Sequence, residues 1–427
     1  MRPVRFRSFW VFLGAAAWLV VFAGTQANAA NDFRLKKTSI TDACVECHDE
    51  FVEILKRPFL HTPVAKGDCA GCHNPHTSKR AMLLDAESGK ICQSCHEEMF
   101  EGEAQSSHRI FVQGKCFSCH DAHGSENKQN LIRAGSALCI ECHDELGQKL
   151  ATNKFEHDPV TDSCVECHDP HASKKSDNLL VDAQPSLCLD CHEANDASFK
   201  QVHKNYPVEK ARCTACHNPH GSNTAGILFD NVHEPVAERA CGECHTKSTS
   251  SSPFALKDVG LDLCEGCHYE TVVDALNKSM VHWPMLDDRG CVNCHAPHAS
   301  EEDFLLKGTQ AEVCSECHTD TVDRQKRSRT EHPPIAEGAC GECHAPHSSD
   351  NTFLINQPTA IEVCAKCHEW QRHSSHPIGE EIVDPRNANV TLECSSCHRT
   401  HGTEYEHFIY FRTKDELCVQ CHTNLRR

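Results

Sequence analysis

Residues 61–96 read HTPVAKGDCAGCHNPHTSKRAMLLDAESGKICQSCH, and residues 332–368 read HPPIAEGACGECHAPHSSDNTFLINQPTAIEVCAKCH. Both contain, in the same order, an H-x-P, a C-x-x-C-H with another histidine three residues on, a short apolar pair, and a second C-x-x-C-H. The unit recurs along the chain at a period of about 45–50 residues, which marks an array whose members bury themselves against their neighbours.

The C-x-x-C-H element occurs sixteen times in 427 residues. The first four comprise Cys44, Cys47 and His48; Cys69, Cys72 and His73; Cys92, Cys95 and His96; Cys116, Cys119 and His120. The next four are Cys139, Cys142 and His143; Cys164, Cys167 and His168; Cys188, Cys191 and His192; Cys213, Cys216 and His217. Then come Cys241, Cys244 and His245; Cys264, Cys267 and His268; Cys291, Cys294 and His295; Cys314, Cys317 and His318. The last are Cys340, Cys343 and His344; Cys364, Cys367 and His368; Cys394, Cys397 and His398; Cys418, Cys421 and His422. Together they consume all 32 cysteines.

Two thiols three positions apart can add to the two vinyl groups of one haem, and the adjacent histidine then lies under the iron as proximal ligand. Four-ligand zinc sites do not require a histidine after every cysteine pair, and neither does a disulfide framework. Thioredoxin-like redox pairs come embedded in βαβ patterns, which are absent here. The pattern therefore predicts sixteen covalent haems c.

Seventeen of the 33 histidines lie outside the motifs, enough for a second ligand on every iron with one to spare. Eight precede a motif: His61, His108, His157, His203, His233, His282, His332 and His376. Seven follow one by three residues: His76, His123, His171, His220, His298, His347 and His401. His373 and His407 are irregular, and His407 is taken as the sixteenth distal ligand. Two histidines on opposite faces of one haem have Cα atoms ~12 Å apart, whereas three extended residues reach only ~11 Å. His73 and His76 therefore serve different irons, and the proline between them stiffens the tether.

The repeat has breaks. The Cys44 motif is a second half without a first, the unit at His203 lacks its second motif, and the Cys241 motif has no trailing histidine. The Ser/Thr-rich stretch 246–252 is the candidate boundary between a multihaem lobe over 30–245 and another over 246–427; one continuous array is the alternative.

At the N-terminus Arg2, Arg5 and Arg7 precede FWVFLGAAAWLVVFAG and the site Ala27-Asn28-Ala29, which reads as a cleaved export signal over 1–29. An uncleaved anchor is the alternative. The remainder, without membrane span, is expected in the periplasm, where it can associate with the outer membrane. The formal charge of -19 becomes -22 without the leader's arginines, which argues against nucleic acid as a partner.

Only 39% of residues are hydrophobic and 6% aromatic. With about 25 residues per haem, the porphyrins must supply the apolar interior, and the haem-free chain should be largely unfolded. The expected fold is mostly irregular, an elongated array with short helices and little sheet. Helices are expected near 136–150 and 311–325.

CAGCHNPH, CFSCHDAH, CVECHDPH, CTACHNPH, CVNCHAPH, CGECHAPH and CSSCHRTH resemble the bacterial multihaem c-type cytochromes built from doubled C-x-x-C-H repeats, over essentially all of residues 43–422. Within that group the chain is similar to periplasmic pentahaem and decahaem electron-transfer subunits, including those that feed outer-membrane porin conduits. The resemblance implies an α-helical, largely irregular wrap around closely spaced haems. It also implies an electron carrier rather than an enzyme. Implied partners are a donor such as a quinol dehydrogenase or small cytochrome, and an acceptor reductase or outer-membrane conduit. The competing reading is a reductase of a small nitrogen or sulfur compound. It needs one open iron, sought near Cys241 and Cys264, where the trailing histidine is missing.

Overall fold

Each C-x-x-C-H forms one helical turn. The histidine amide donates to the carbonyl of the first cysteine, at 3.1 Å for His73 to Cys69 and 3.0 Å for His295 to Cys291. Positions i, i+3 and i+4 of such a turn share a face, so two thiols and an imidazole converge. The computed structural model describes residues 39–100, 102–369 and 378–425; the leader, His373 and His376 lie outside them.

The two motifs of a repeat sit on different turns. First motifs occupy short 3-10 turns, such as Cys69–Gly71, Cys213–Ala215 and Cys340–Glu342. Second motifs lie on α-turns, such as Ser88–Gln93, Gln310–Ser315 and Ala360–Ala365. Thr309 with Glu312, Thr359 with Glu362 and Thr413 with Glu416 close reciprocal capping boxes that start three of these α-turns. Ile40–Val45 carries the Cys44 motif on an α-turn as well, in keeping with its reading as a second half. The pre-motif histidines His61, His108, His157, His233, His282 and His332 are extended and are followed by a helical turn, whereas His203 ends a helix. In Thr62–Ala65, Glu234–Ala237 and Pro333–Ala336 that turn has proline near its start, where a missing N–H costs nothing.

The helices expected near 136–150 and 311–325 are present, each broken at its proximal histidine. They appear as Ala137–Ile140 with Asp144–Thr152, and as Gln310–Ser315 with Thr319–Arg327.

Two-residue antiparallel strands join successive repeats. Phe59–Leu60 pairs with Gly124–Ser125, Ser106–Ser107 with Ala172–Ser173, Asn231–Val232 with Ala299–Ser300, and Met280–Val281 with Ser348–Ser349. Each links the segment before one repeat's first histidine to the segment after the next repeat's first motif. A longer hairpin, Gly379–Asp384 with Asn387–Leu392, was not expected. Its strands lack a period-2 apolar pattern. It is set by the turn, where Asp384, 3% exposed, accepts from Arg386 Nε at 2.9 Å, and Arg386 also donates to Ser396 O at 2.9 Å.

The chain divides into two compact units, one formed by residues up to Cys95 together with Cys116–Ile132, the other by His96–Lys115 and Arg133–Arg427. The Ser/Thr-rich stretch 246–252 lies inside the second unit, folded on itself through Thr246 Oγ1 to Ser252 O at 2.6 Å. Buried apolar side chains among the described residues are Tyr206, Val272, Ala275, Met285, Ala299 and Leu392. So few cannot supply the interior of a chain this long. Among the described residues no helix is long and apolar enough to cross a membrane.

The hydrogen bond from Arg386 holds the Asp384 carboxyl below the usual carboxylate range. A depressed folded-state pKa gives stability that is complete above about pH 4 and is lost as pH falls through the depressed value. Asp384→Ala should destabilise the hairpin by about 1–2 kcal/mol. Faster amide exchange at Val383 and Thr391 is the readout, and unchanged protection would show that the turn does not depend on the pair.

Candidate haem sites

Each first-motif proximal ring is fixed by a backbone carbonyl nine or ten residues downstream. Nδ1 contacts Met82 O at 2.7 Å in His73, Gln129 O at 2.8 Å in His120, Asn178 O at 2.8 Å in His168 and Gly226 O at 2.8 Å in His217. The same bond runs from His295 to Phe304 O at 2.8 Å, His344 to Phe353 O at 2.9 Å and His398 to His407 O at 2.6 Å. Every one of these acceptors has positive φ, between 55° and 75°. The following residue does too in each repeat, as in Met82–Leu83 and Phe353–Leu354, giving the double left-handed turn of type I′. The turn aims the carbonyl at the histidine, and the apolar pair of the repeat then bridges back, as in His73 with Leu84 and His344 with Ile355. In the Cys241 repeat Phe254 O takes this place at 3.0 Å without positive φ.

A ring whose Nδ1–H is given to a carbonyl keeps its Nε2 lone pair for a metal. Pre-motif histidines are arranged the same way. His157 Nδ1 meets Pro219 O at 2.8 Å, His233 meets Pro297 O at 2.9 Å and His282 meets Pro346 O at 2.8 Å. Burial pushes His108, His123, His217, His220, His298, His332, His347 and His401 below the ordinary imidazole value. They are neutral near pH 7, the form that ligates.

The structure sets these rings opposite one another in pairs. Second-motif proximal histidines meet the pre-motif histidine of their own repeat: His143 with His108, His192 with His157, His268 with His233, His318 with His282 and His368 with His332. First-motif histidines meet the trailing histidine of the next repeat: His73 with His123, His168 with His220, His245 with His298, His295 with His347 and His344 with His401. An eleventh pair, His217 with His203, lies within one repeat.

Centroid separations across these pairs run from 5.9 to 6.2 Å. Two metal–nitrogen bonds of ~2.0 Å plus a ring radius of ~1.1 Å at each end give ~6.2 Å, so the gap fits one six-coordinate iron. His295 and His298 face different partners, as the short tether requires.

Thiols of consecutive motifs are also neighbours. The first cysteine of a second motif hydrogen-bonds the first cysteine of the next repeat at Cys92 with Cys116, Cys188 with Cys213, Cys264 with Cys291, Cys314 with Cys340 and Cys364 with Cys394. Second cysteines sit within electrostatic reach of each other inside a repeat, as in Cys72 with Cys95, Cys244 with Cys267 and Cys397 with Cys421. Burial pushes Cys92 and Cys188 up to about 12, whereas the bonds donated by Cys264 and Cys314 pull Cys291 and Cys340 down to about 6. None of the 32 cysteines is in a disulfide.

The region sought for an open iron is placed differently from expectation. His245 faces His298 and His268 faces His233, so both proximal rings have a histidine opposite. His407 is exposed and serves through its backbone carbonyl, in the turn position held by Phe304 and Phe353 elsewhere. His76 is exposed, and His48 contacts Glu50 at 3.3 Å. The left-handed turn was missed from sequence because six of its seven leading residues are Met, Gln, Asn, Phe or His, and only Gly226 carries a glycine signature. Only their fixed offset from each motif could have shown it.

The family model for the doubled CXXCH motif matches residues 61–101, 108–148, 157–197, 205–232, 233–273, 282–323, 332–373 and 387–427. The chain belongs to this family: it is a multihaem c-type cytochrome, a protein of electron transfer that binds haem covalently through its CXXCH motifs. No curated protein matches the chain.

Phe353→Gly should keep the carbonyl on His344 and be neutral or stabilising by up to ~1 kcal/mol. Phe353→Pro, with φ held near −65°, should withdraw that carbonyl and lower the thermal midpoint. Equal midpoints for the two variants would show that the left-handed turn does not hold the ring.

Proposed function

We propose that this protein is an exported, periplasmic electron carrier with sixteen haems c, each held between two histidines and arranged in the order of the sequence. The observation that carries the reading is the recurring imidazole pair, set for a saturated iron rather than for an open coordination site. When bound, haem supplies one-electron iron chemistry. Histidine on both faces with no methionine favours low potentials, because methionine ligation raises them.

The chain's own residues order the sites. From the Cys244 motif onward, thiol-to-thiol contacts link neighbouring motifs alternately through second and first cysteines, so those consecutive sites adjoin at their edges. Carbonyls on Nδ1 fix the ring planes and favour the Nε2 lone pair. The acidic surface suits docking on basic patches of redox partners, a donor such as a quinol dehydrogenase and an acceptor reductase or outer-membrane conduit.

For the last first-motif site, at Cys394, we assign His373 rather than His407 as distal ligand, because the His407 backbone is already committed to His398 and its ring is exposed. His376 then keeps the pre-motif role for His422, as its position in the repeat requires.

Intact-mass measurement of the matured protein should show the polypeptide without residues 1–29 plus sixteen haems, and its oxidised EPR spectrum should be entirely low-spin. A stoichiometric high-spin signal would instead support the reductase reading. His373→Ala should convert about one-sixteenth of the iron to high spin and His407→Ala none; the reverse result would return His407 to the ligand set.

A further inference from the structure

The two irregular repeats compensate one another. The repeat starting at His203 has no second motif, which leaves its pre-motif histidine without the usual partner. The next repeat has no trailing histidine, which leaves His217 without the usual partner. The structure joins these two remainders: His203 and His217 stand 6.2 Å apart. Their planes are crossed at 61°, whereas the ten regular pairs lie between 13° and 39°.

The cause of the crossing is local. His203 sits at the end of the Ala197–Val202 helix with its Nδ1 bonded to Phe199 O at 2.9 Å, four residues back. Every other pre-motif histidine whose Nδ1 contact is described uses a carbonyl of the next repeat, as His157 uses Pro219. His203 is thus oriented by its own helix, independently of the strand pairing that aligns the others.

A seam follows. None of the eleven imidazole pairs joins a residue up to His220 with one from His233 onward. Ordinary side chains close the seam instead. Tyr206, 7% exposed, donates to Thr246 O at 2.7 Å and packs on Phe254, while Asn218 Nδ2 donates to Glu301 Oε1 at 2.9 Å. The alternation of thiol contacts breaks here too, with Cys216 facing Cys241, a second cysteine against a first. Eight motifs and eight further histidines lie up to residue 220, and eight motifs and nine further histidines lie beyond it.

We infer that the molecule is two eight-haem arrays, each supplying its own ligands, joined at a seam where His203 and His217 clamp the Cys213 haem from within a single repeat. This rests on the haem-binding reading above. The clamped centre is the last of the first array and adjoins the second only through the Cys216–Cys241 edge, so it is the junction that current must cross. Crossed imidazole planes bring the iron d-orbitals closer to degeneracy, which moves a low-spin EPR feature to low field. The seam centre is therefore distinguishable from the ten regular pairs.

The oxidised full-length holoprotein should show one low-field low-spin feature integrating to about one-sixteenth of the iron. His203→Ala should abolish it and produce an equal amount of high-spin iron, which added imidazole returns to low spin. His220→Ala, which opens the site of His168, should leave the low-field feature in place. Absence of the feature in the unmodified protein, its survival in His203→Ala, or its loss in His220→Ala would each overturn the assignment. If His203→Ala is not secreted, His203→Met keeps six-coordination and must still remove the feature. A holoprotein without covalent haem would refute the broader reading, a different result from any of these.

Discussion

The rest of the structure depends on one short tether. Three residues separate the two histidines of CHNPH or CHAPH, too few to span both faces of one iron. The second imidazole must face a site in the preceding repeat, and it does: His298 meets His245, and His347 meets His295. Once the ligand of one repeat belongs to the site of another, the repeats are interleaved. The two-residue strands follow from that. His233 N donates to His298 O at 3.0 Å and His282 N to His347 O at 2.9 Å, so backbones are paired where the distal histidines of two sites come together.

This arrangement lets a chain with little apolar core hold many rings in place. Orientation comes from backbone carbonyls on Nδ1 rather than from packed side chains. The left-handed residues that present those carbonyls each cost of order 1 kcal/mol or more, strain that persists only where the surroundings impose it. Its recurrence at seven first motifs, on residues as different as Met82, Asn178 and Phe353, shows that the backbone geometry is what the repeat keeps. The side chain there is free to vary because it faces solvent: Met82 is 73% exposed and Phe353 81%.

Much of this was legible in the residues. Cysteine arithmetic fixed the motifs, tether length separated the two histidines of CHNPH, and helices were expected at the second motifs near 136–150 and 311–325. What stayed hidden was of two kinds. The Gly379–Leu392 hairpin is built on the Asp384–Arg386 pair, a polar contact with no hydrophobic period to announce it. Partner choice was the other. Counting showed that enough histidines exist, but which ring meets which depends on how one repeat lies on the next. His407 illustrates the limit: the count made it a candidate for the sixteenth distal ligand, whereas the backbone shows it in the turn position held by phenylalanine two repeats earlier.

The two irregular repeats carry the last step. A second motif lost from one repeat and a trailing histidine lost from the next would each strand an imidazole if the rule of partnership were rigid. Together they leave one proximal and one distal ring in the same repeat, fourteen residues apart, enough chain to reach around an iron where three are not. The losses therefore cancel in ligand number while removing the histidine that would have tied the two halves together. Loss of the second motif alone would have left a spare histidine, and loss of the trailing histidine alone an open iron. This pair of defects conserves saturation and gives up cross-linking, which is why Tyr206 and Asn218 carry the contact there and why His203 alone takes its orientation from its own helix.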